Sequence, residues 1–435
     1  MRREAVAVIG GGWAGLACAV ELAAAGRPVT LFEAARQLGG RARRVDWNGI
    51  ALDNGQHILI GAYQETLRLL ERVGSAHLLE RRPLEFDQPP GFRLALPRLP
   101  APLHVGLGLI RARGLAWRDK RAAARFIQTL KRQGYRLPAD TSVSDLLARQ
   151  GQTPALVRHL WEPICLAALN TPLDQASAQV FCNVLRDSLG GVRAASDLLL
   201  PRADLGRLLP DAATAYLAGH GGEVRLGCRI EGIERTPRGY RLTGSDCPFG
   251  HVVCATSPAR LPALLAGLPE LELLRRRVAA YAYQPIETLW LRFERSLELP
   301  FPMLGLDQGP GQWLFDRCEL APGLASVVIS AEGPHRQLTK PALLAAVLEQ
   351  TERAVGALPE LRDHLSVLER RATFAAVPGL VRPPTQTALP GLYLAGDHIQ
   401  SDYPATLEAA VRSGVAAARA ILAQAETTAY QPVAC

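Results

Sequence analysis

Three glycines near the start of the chain constrain its fold more than any other feature. Val6-Ala-Val-Ile9 is a short apolar run of β type, and Gly10-Gly-Gly12-Trp-Ala-Gly15 follows at once. Residues 14–25 read as a helix that Gly26 stops. Pro28-Val-Thr-Leu-Phe32 then reads as a second strand, ending at Glu33. Gly10, Gly12 and Gly15 hold the three positions of a G-x-G-x-x-G turn. Glycines there permit the tight turn, the close approach of a pyrophosphate and helix-on-strand packing. Trp13 precedes the helix and Ala14 opens it, and its unsatisfied N–H groups and positive dipole end suit phosphates. Glu33 follows Gly15 by 18 residues, where a carboxylate takes ribose hydroxyls and repels a 2′-phosphate. The competing reading is a glycine-rich turn with no ligand. It has no need of strand, helix, second strand and acid in register, so the unit predicts a dinucleotide site.

The next stretch favours FAD over NAD. Ala34 is followed by Arg36-Gln-Leu-Gly39-Gly40-Arg41, where a nicotinamide dehydrogenase would continue into another helix. Gly39 and Gly40 let the backbone pass close to something bulky, and Arg41 can contact a phosphate. Asp53-Asn-Gly55-Gln56-His57 reads as a loop before the apolar run Ile58-Leu-Ile60. Far along the chain, Gly391-Leu-Tyr-Leu-Ala395 reads as a strand that stops at Gly396-Asp397, and residues 405–422 read as a helix. Asp397 can hold a ribityl or ribose hydroxyl; the bland alternative is a turn or helix-capping aspartate. Thr406 and Leu407, at the helix start, can face the electron-rich side of a flavin ring. Residues 222–233 alternate like paired strands and bring Ile230 to the cofactor wall, and His251-Val-Val-Cys-Ala-Thr256 reads as a further strand.

The intervening chain suggests a second domain. Residues 83–102 hold six prolines in twenty positions and read as loop, the first exit from the cofactor domain. Residues 143–209 look mainly helical, 289–293 and 325–330 look like strands, and 342–355 like a helix. These readings predict a discontinuous cofactor domain of residues 1–80, 205–260 and 370–435. A substrate domain of residues 81–204 and 261–369 is interleaved with it. At 435 residues and 48% hydrophobic content, the chain can bury a large core and is neither disordered nor fibrous.

The eight cysteines, at 18, 165, 182, 228, 247, 254, 318 and 435, include no C-x-x-C pair. They signal neither a metal site nor a redox dithiol and suit free thiols in a reducing cytoplasm. Arg2 and Arg3 before an apolar, alanine-rich stretch resemble a signal peptide, but Glu4 and Glu21 interrupt it. No run reaches the ~18 apolar residues of a membrane span. The reading is a soluble or peripheral protein.

These motifs carry a family resemblance. Gly10–Gly15, Glu33, Gly39-Gly40-Arg41 and Leu394-Ala-Gly-Asp397 resemble the FAD-dependent amine oxidase/phytoene desaturase superfamily. Asp53-Asn-Gly-Gln-His-Ile-Leu-Ile-Gly-Ala-Tyr63 resembles its carotene desaturase and squalene-associated branch. Trp161-Glu-Pro-Ile-Cys-Leu-Ala-Ala-Leu-Asn-Thr-Pro172, Ala176-Ser-Ala-Gln-Val-Phe181, Ala195-Ser-Asp-Leu-Leu-Leu-Pro-Arg202 and Tyr403-Pro-Ala-Thr-Leu-Glu408 are similar to the hydroxysqualene dehydroxylases of bacterial hopanoid synthesis. The resemblance spans essentially the whole chain. It implies an α/β fold with a Rossmann-like FAD-binding domain of glutathione-reductase type, in the amine-oxidase/phytoene-desaturase branch. An α+β substrate domain is interleaved with it.

The implied activity is reductive removal of an allylic hydroxyl from hydroxysqualene, a hydrophobic isoprenoid, to give squalene. Loss of water from an allylic carbinol leaves a delocalised cation, and reduced flavin can return hydride to that carbon. The protein must hold a long apolar chain, protonate the departing hydroxyl and exclude water. His57 is the first candidate for the acid, because imidazole titrates near neutrality; the alternative is that it only hydrogen-bonds flavin or backbone. Asp402 and Tyr403, ahead of the flavin-facing helix, are weaker candidates, and His398 adjoins Asp397.

Two other enzyme readings remain. A polyene desaturase would share every motif, since the direction of electron flow is not written in them. A flavin amine oxidase is disfavoured: aromatics are 6%, and Lys340 is the only lysine in the later half. No second G-x-G-x-x-G marks a nicotinamide site, so the electron donor is a diffusible species or a transient NAD(P)H.

The net charge is +8. Residues 111–136 carry nine cations and one acid, Asp119, which accounts for all of it. Few aromatics interleave with these cations, against nucleic acid. The apolar residues 101–110 precede the basic run, so 101–136 resembles an anchor for an anionic membrane surface, the alternative being a buried helix and a solvated one. The expected location is cytoplasmic, peripheral on the inner membrane face.

Overall fold

Five short parallel strands carry the nucleotide-binding pattern. The computed structural model describes residues 5–245 and 248–429. Val6–Ile9 lies at the centre, paired in register with Val29–Phe32 on one side and His251–Cys254 on the other. Glu223–Arg225 and Leu392–Leu394 complete the sheet at its two edges. A parallel sheet is covered on both faces, so its strands are apolar throughout rather than alternating. Val6, Ala7 and Val8 are fully buried accordingly.

Helix Trp13–Ala24 crosses between the first two strands and buries ten of its twelve residues. It packs against the helix Leu407–Ala429 at very short range. A Cβ at Gly414 would fall 2.0 Å from the Ala14 carbonyl oxygen, so only glycine permits that approach. The C-terminal half of the chain thereby returns to the first βαβ unit.

The second body centres on an antiparallel five-stranded sheet. Its order is Met303–Gly305, Trp313–Asp316, Leu324–Ser330, Tyr283–Phe293 and Leu361–Phe374. A largely helical layer made from residues 103–189 lies beside it. A small sheet of Leu59–Ile60, Leu198–Pro201 and Leu79–Arg82 joins the two bodies.

The structure corrects several local expectations. Residues 222–233 are not a pair of strands with each other. Glu223–Arg225 joins the parallel sheet, Gly227 turns the chain at φ +67°, and Ile233–Thr236 pairs with Gly239–Leu242. Ile230 lies outside any strand. The proline-rich 83–102 is not only loop: Glu85–Gln88 and Phe92–Ala95 form a hairpin, with Phe86 and Phe92 edge to face at 5.4 Å. The mainly helical 143–209 contains the strand Leu198–Pro201, whose unbroken burial hides its period. The late helix starts at Leu407, two residues beyond the expected Ala405.

Among the described cysteines, 18, 165, 182 and 254 are buried free thiols, Cys318 is half-buried and Cys228 exposed. Cys247 and Cys435 lie outside the described residues, as do Arg2, Arg3 and Glu4. Among the described residues, no helix is long and apolar enough to cross a membrane.

Candidate functional site

One cavity of about 1010 Å³ runs from the glycine turn into the second body. That volume is at the upper end for ligand pockets. Its near end is a polar cradle, and each glycine there has its own job. Gly10 stands at φ +112°, and a Cβ on it would meet the Ala255 carbonyl oxygen at 2.6 Å. A Cβ on Gly15 would fall 1.9 Å from the Gly10 oxygen, so this glycine seats the helix on its strand. Gly12 differs: its added Cβ would find only Gly40 Cα at 3.9 Å, because that side opens into the cavity. Gly12, Trp13 and Ala14 line the cavity, and the helix has no side-chain cap. Its first N–H groups therefore remain available to an anion.

Glu33 sits where the second strand ends. Its carboxylate accepts from the Gly11 N–H at 2.7 Å and the Ala35 N–H at 2.8 Å. This fixes both oxygens at the cavity wall beside Ala34 and Ile230. Thr256 Oγ1 and Trp13 Nε1 are buried without a partner, and both residues line this end. Buried polar atoms left unmatched in a cavity wall suit a bound polar ligand. The cradle therefore fits an adenine dinucleotide on its own geometry.

Two widely separated motifs meet across the cavity. Arg41 Nη2 lies 2.6 Å from Asp397 Oδ1, and its Nη1 donates to the Ala372 carbonyl at 2.8 Å. Arg382 donates to the Asp397 carbonyl. Burial alone would raise the Asp397 carboxyl, but the Arg41 guanidinium outweighs it and holds the group well below the ordinary carboxylate range. Asp397 is thus an anion shared between a cation and the cavity, rather than a turn residue. Gly396 is anchored behind it by Ser413 Oγ, which accepts its N–H at 2.7 Å. Gly40, Thr406 and Leu407 line the same stretch of wall. His398 is fully buried, with Nδ1 3.9 Å from the Asp397 carboxylate, and does not line the cavity.

Gly55, Gln56 and His57 also line the cavity. Gln56 Nε2 donates to the His57 carbonyl at 2.8 Å. His57 Nδ1 lies 2.6 Å from the Gly55 carbonyl oxygen. A carbonyl only accepts, so Nδ1 carries the proton and the neutral ring offers Nε2 as an acceptor. Burial lowers the imidazole pKa and the Arg41 charge lowers it further, against the Gly55 carbonyl. The ring is therefore poised neutral at neutral pH and becomes a proton donor only on acidification.

Asp402 and Tyr403 do not join His57. Both line a second pocket of about 780 Å³. Asp402 pairs with Arg186 at 3.2 Å, and the Tyr403 ring lies under the Arg412 guanidinium at 4.7 Å. The turn at Pro404 separates them from Ala405, Thr406 and Leu407, which face the main cavity. The geometry gives them no contact with anything held there.

The far end of the cavity has a different character. Phe86, Leu94, Leu160, Trp161, Ile164 and Leu198 line it from the helical layer and hairpin. Ile286, Met303, Trp313, Phe315 and Val328 line it from the antiparallel sheet. No lining residue between 84 and 198 or between 286 and 330 carries a charge. Two of the polar side chains in this arm are tied up, Trp161 Nε1 donating to Gln152 and Ser188 Oγ to the Val184 carbonyl, whereas Trp313 Nε1 is buried without a partner.

The sequence reading missed several wall residues. Asn54 donates to the Arg41 carbonyl and to Glu369, both at 3.1 Å. Glu369, Ala372 and Thr373 come from the long strand Leu361–Phe374. Asn170 ends its helix at φ +46°, accepts the Ala331 N–H and donates to the Pro285 carbonyl and Thr373 Oγ1. It thereby locks the helical layer to the sheet. Its signal was available: asparagine tolerates the left-handed conformation at a helix end.

Known proteins match this arrangement. The family model for flavin containing amine oxidoreductase matches residues 13–422. Hydroxysqualene dehydroxylase of Rhodopseudomonas palustris is 32% identical over 97% of this chain and 99% of its own. The Zymomonas mobilis hydroxysqualene dehydroxylase is 28% identical, covering 94% and 97%. The solved structure of an oxidoreductase from Methanosarcina mazei superposes with TM-score 0.74 at 16% identity, over 95% of this chain and 99% of that one. A polar cradle for an adenine dinucleotide, an apolar arm and full-length relatives agree: the chain belongs to the flavin containing amine oxidoreductase family, in its hydroxysqualene dehydroxylase branch.

Proposed function

We propose that this FAD-dependent oxidoreductase reduces hydroxysqualene to squalene at the junction of the cradle and the apolar arm, as an inner-face peripheral protein of the cytoplasm. The observation that carries the reading is the uncharged wall of the arm, continuous with the cradle in one cavity. A substrate held there is largely apolar and uncharged, because burying an unpaired charge costs far more than binding returns. An amine substrate would meet neither a carboxylate nor a lysine in that arm.

In this proposal Glu33, Gly12, the N-terminus of helix Trp13–Ala24, Arg41 and Asp397 hold the cofactor, and FAD supplies hydride when bound in its reduced form. The remaining work belongs to the chain. The arm positions the isoprenoid and excludes water, which would otherwise capture an allylic cation. His57 lines the cavity beside Arg41 and holds a proton at Nε2 when charged. Passing it to the substrate hydroxyl converts a poor leaving group into water, and the ring returns to its neutral Nδ1–H form against Gly55. One proton and one hydride are consumed for each C–O bond broken and C–H bond formed.

The test is anaerobic turnover with product analysis. Photoreduced enzyme is incubated with hydroxysqualene, and oxidised enzyme with squalene or phytoene. Squalene from the first mixture, with stoichiometric flavin oxidation, supports the reading. Products only from the second establish a polyene desaturase instead.

A further inference from the structure

Two helices stand between the apolar arm and the outside. Leu103–Arg111 and Trp117–Arg132 follow one another across a short turn. Their inner faces belong to the cavity: Val105 and Leu109 of the first and Ala123 and Ile127 of the second line it. Their outer faces hold large apolar side chains that nothing in the described chain covers. Leu103 is 61% exposed, Ile110 53% and Trp117 62%. Lys120 ties two of these together, donating to the Ile110 carbonyl at 2.7 Å and lying 5.2 Å from the centre of the Trp117 ring.

Cations surround this apolar rim. Residues 111–136 hold nine, against Asp119 alone. Asp119 is buried and accepts the Ala116 N–H, so it serves its own helix end. Arg118 reaches it only at 3.7 Å with its side chain 85% exposed. Among the described residues, Arg111, Arg121, Arg125, Lys131 and Arg132 make no ion pair with a carboxylate. A solvated basic helix turns its apolar residues inward and shows only charge. Here apolar side chains and unpaired cations share one face, at the rim of an uncharged cavity. Aromatic and aliphatic side chains among cations match the depth profile of an anionic bilayer surface.

We infer that this face docks on an anionic lipid bilayer, and that the substrate passes from the bilayer to the cavity between these two helices, whose inner residues line it. This rests on the reading that the substrate is an isoprenoid lipid. Leu103, Ile110 and Trp117 enter the acyl boundary, and the cations meet the phosphates. Entry between the helices would then be from hydrocarbon, so the substrate moves between apolar surroundings without crossing water.

The experiment uses the full-length, flavin-loaded protein with two kinds of vesicle: phosphatidylcholine alone, and phosphatidylcholine mixed with phosphatidylglycerol. Flotation should occur with the anionic vesicles and fall about tenfold or more at high salt. Arg121→Glu/Arg125→Glu should lower it about thirtyfold or more, and Ile110→Ser/Trp117→Ser about tenfold or more. None of these side chains lines the cavity. Turnover of detergent-dispersed hydroxysqualene should therefore stay unchanged, while turnover of vesicle-dissolved substrate falls with flotation. Arg121→Gln/Arg125→Gln, a milder change at exposed sites, should give an intermediate loss, and flavin absorbance reports that each variant is folded. Equal binding to neutral and anionic vesicles, no binding, or equal losses in detergent and vesicles would overturn the inference. Vesicle binding with the expected profile, by an enzyme that turns over no hydroxysqualene in detergent, overturns the substrate reading and not the docking.

Discussion

The Arg41–Asp397 pair joins two motifs that are 356 residues apart in sequence, and its energy can be measured by a double-mutant cycle. The contact is 2.6 Å, with the Asp397 side chain 5% exposed and that of Arg41 31% exposed. Removing one partner of a buried pair costs about 3–5 kcal/mol, mainly by leaving the other charge unmatched. Asp397→Ala should fall below that range, at about 2–3 kcal/mol, because Arg41 keeps the Ala372 carbonyl and some solvent. Arg41→Ala leaves a carboxylate with almost no solvent and should cost about 3–4 kcal/mol. The double variant leaves neither charge, so it should cost about 2–3 kcal/mol less than the sum of the two.

The assay is urea unfolding of the cofactor-free protein, with FAD affinity measured in parallel. The pH dependence adds a constraint. Asp397 has a folded pKa depressed below its unfolded value. Its contribution is therefore fully present above the ordinary carboxylate pKa of about 4 and is lost only as pH falls towards the folded value. Cycles at pH 5 and pH 7 must agree. Additivity within about 0.5 kcal/mol would refute the pairing, and a coupling that collapses between those two pH values would refute its electrostatic cause.

Three other outcomes follow from the site. His57→Ala should retain FAD and lose turnover about a hundredfold or more, within the range for one proton-transfer residue; wild-type turnover should rise as pH falls below neutrality, since burial and Arg41 lower the imidazole pKa. A flat pH profile, or an active flavin-loaded variant, would remove the acid role. Glu33→Ala removes an acceptor from two backbone N–H groups and should weaken FAD about tenfold or more by fluorescence titration. Glu408 is fully buried and accepts from the N–H groups of Glu65 and Thr66, the Thr66 hydroxyl and Arg412. Glu408→Ala should therefore cost about 3 kcal/mol by urea unfolding.

The cradle was legible because its residues are constrained locally. A glycine turn, an acid at a strand end and an aspartate before a helix each announce themselves within twenty residues. The long strand Leu361–Phe374 was not legible: residues 365–369 are all half-buried whatever their polarity, and exposed charges such as Arg362, Arg370 and Arg371 flank them, so no clean period of two appears. Glu369 and Thr373 were lost to view with it. The Asp402 and Tyr403 candidates failed for a related reason. Nearness in sequence to a flavin-facing helix says nothing about which side of a turn a residue takes, and Pro404 separates the two sides.

The cavity wall is divided between two parts that are built differently. The cradle is built from backbone approach and paired charges: glycines, Glu33, Arg41 and Asp397. On the proposed reading, changing any of them weakens the hold on the dinucleotide. The arm is built from side chains on separate layers, the helices on one side and the antiparallel sheet on the other, locked together at Asn170. Its lining can be exchanged without disturbing the cradle. Charge placed there would select a polar substrate; this chain places none and keeps its unpaired cations outside, around the helices that close the arm. The net charge of +8 is in that sense the counterpart of the uncharged arm. On the docking inferred above, charge at the reacting end would give a catalyst for an uncharged lipid nothing, and charge on the two helices gives it location.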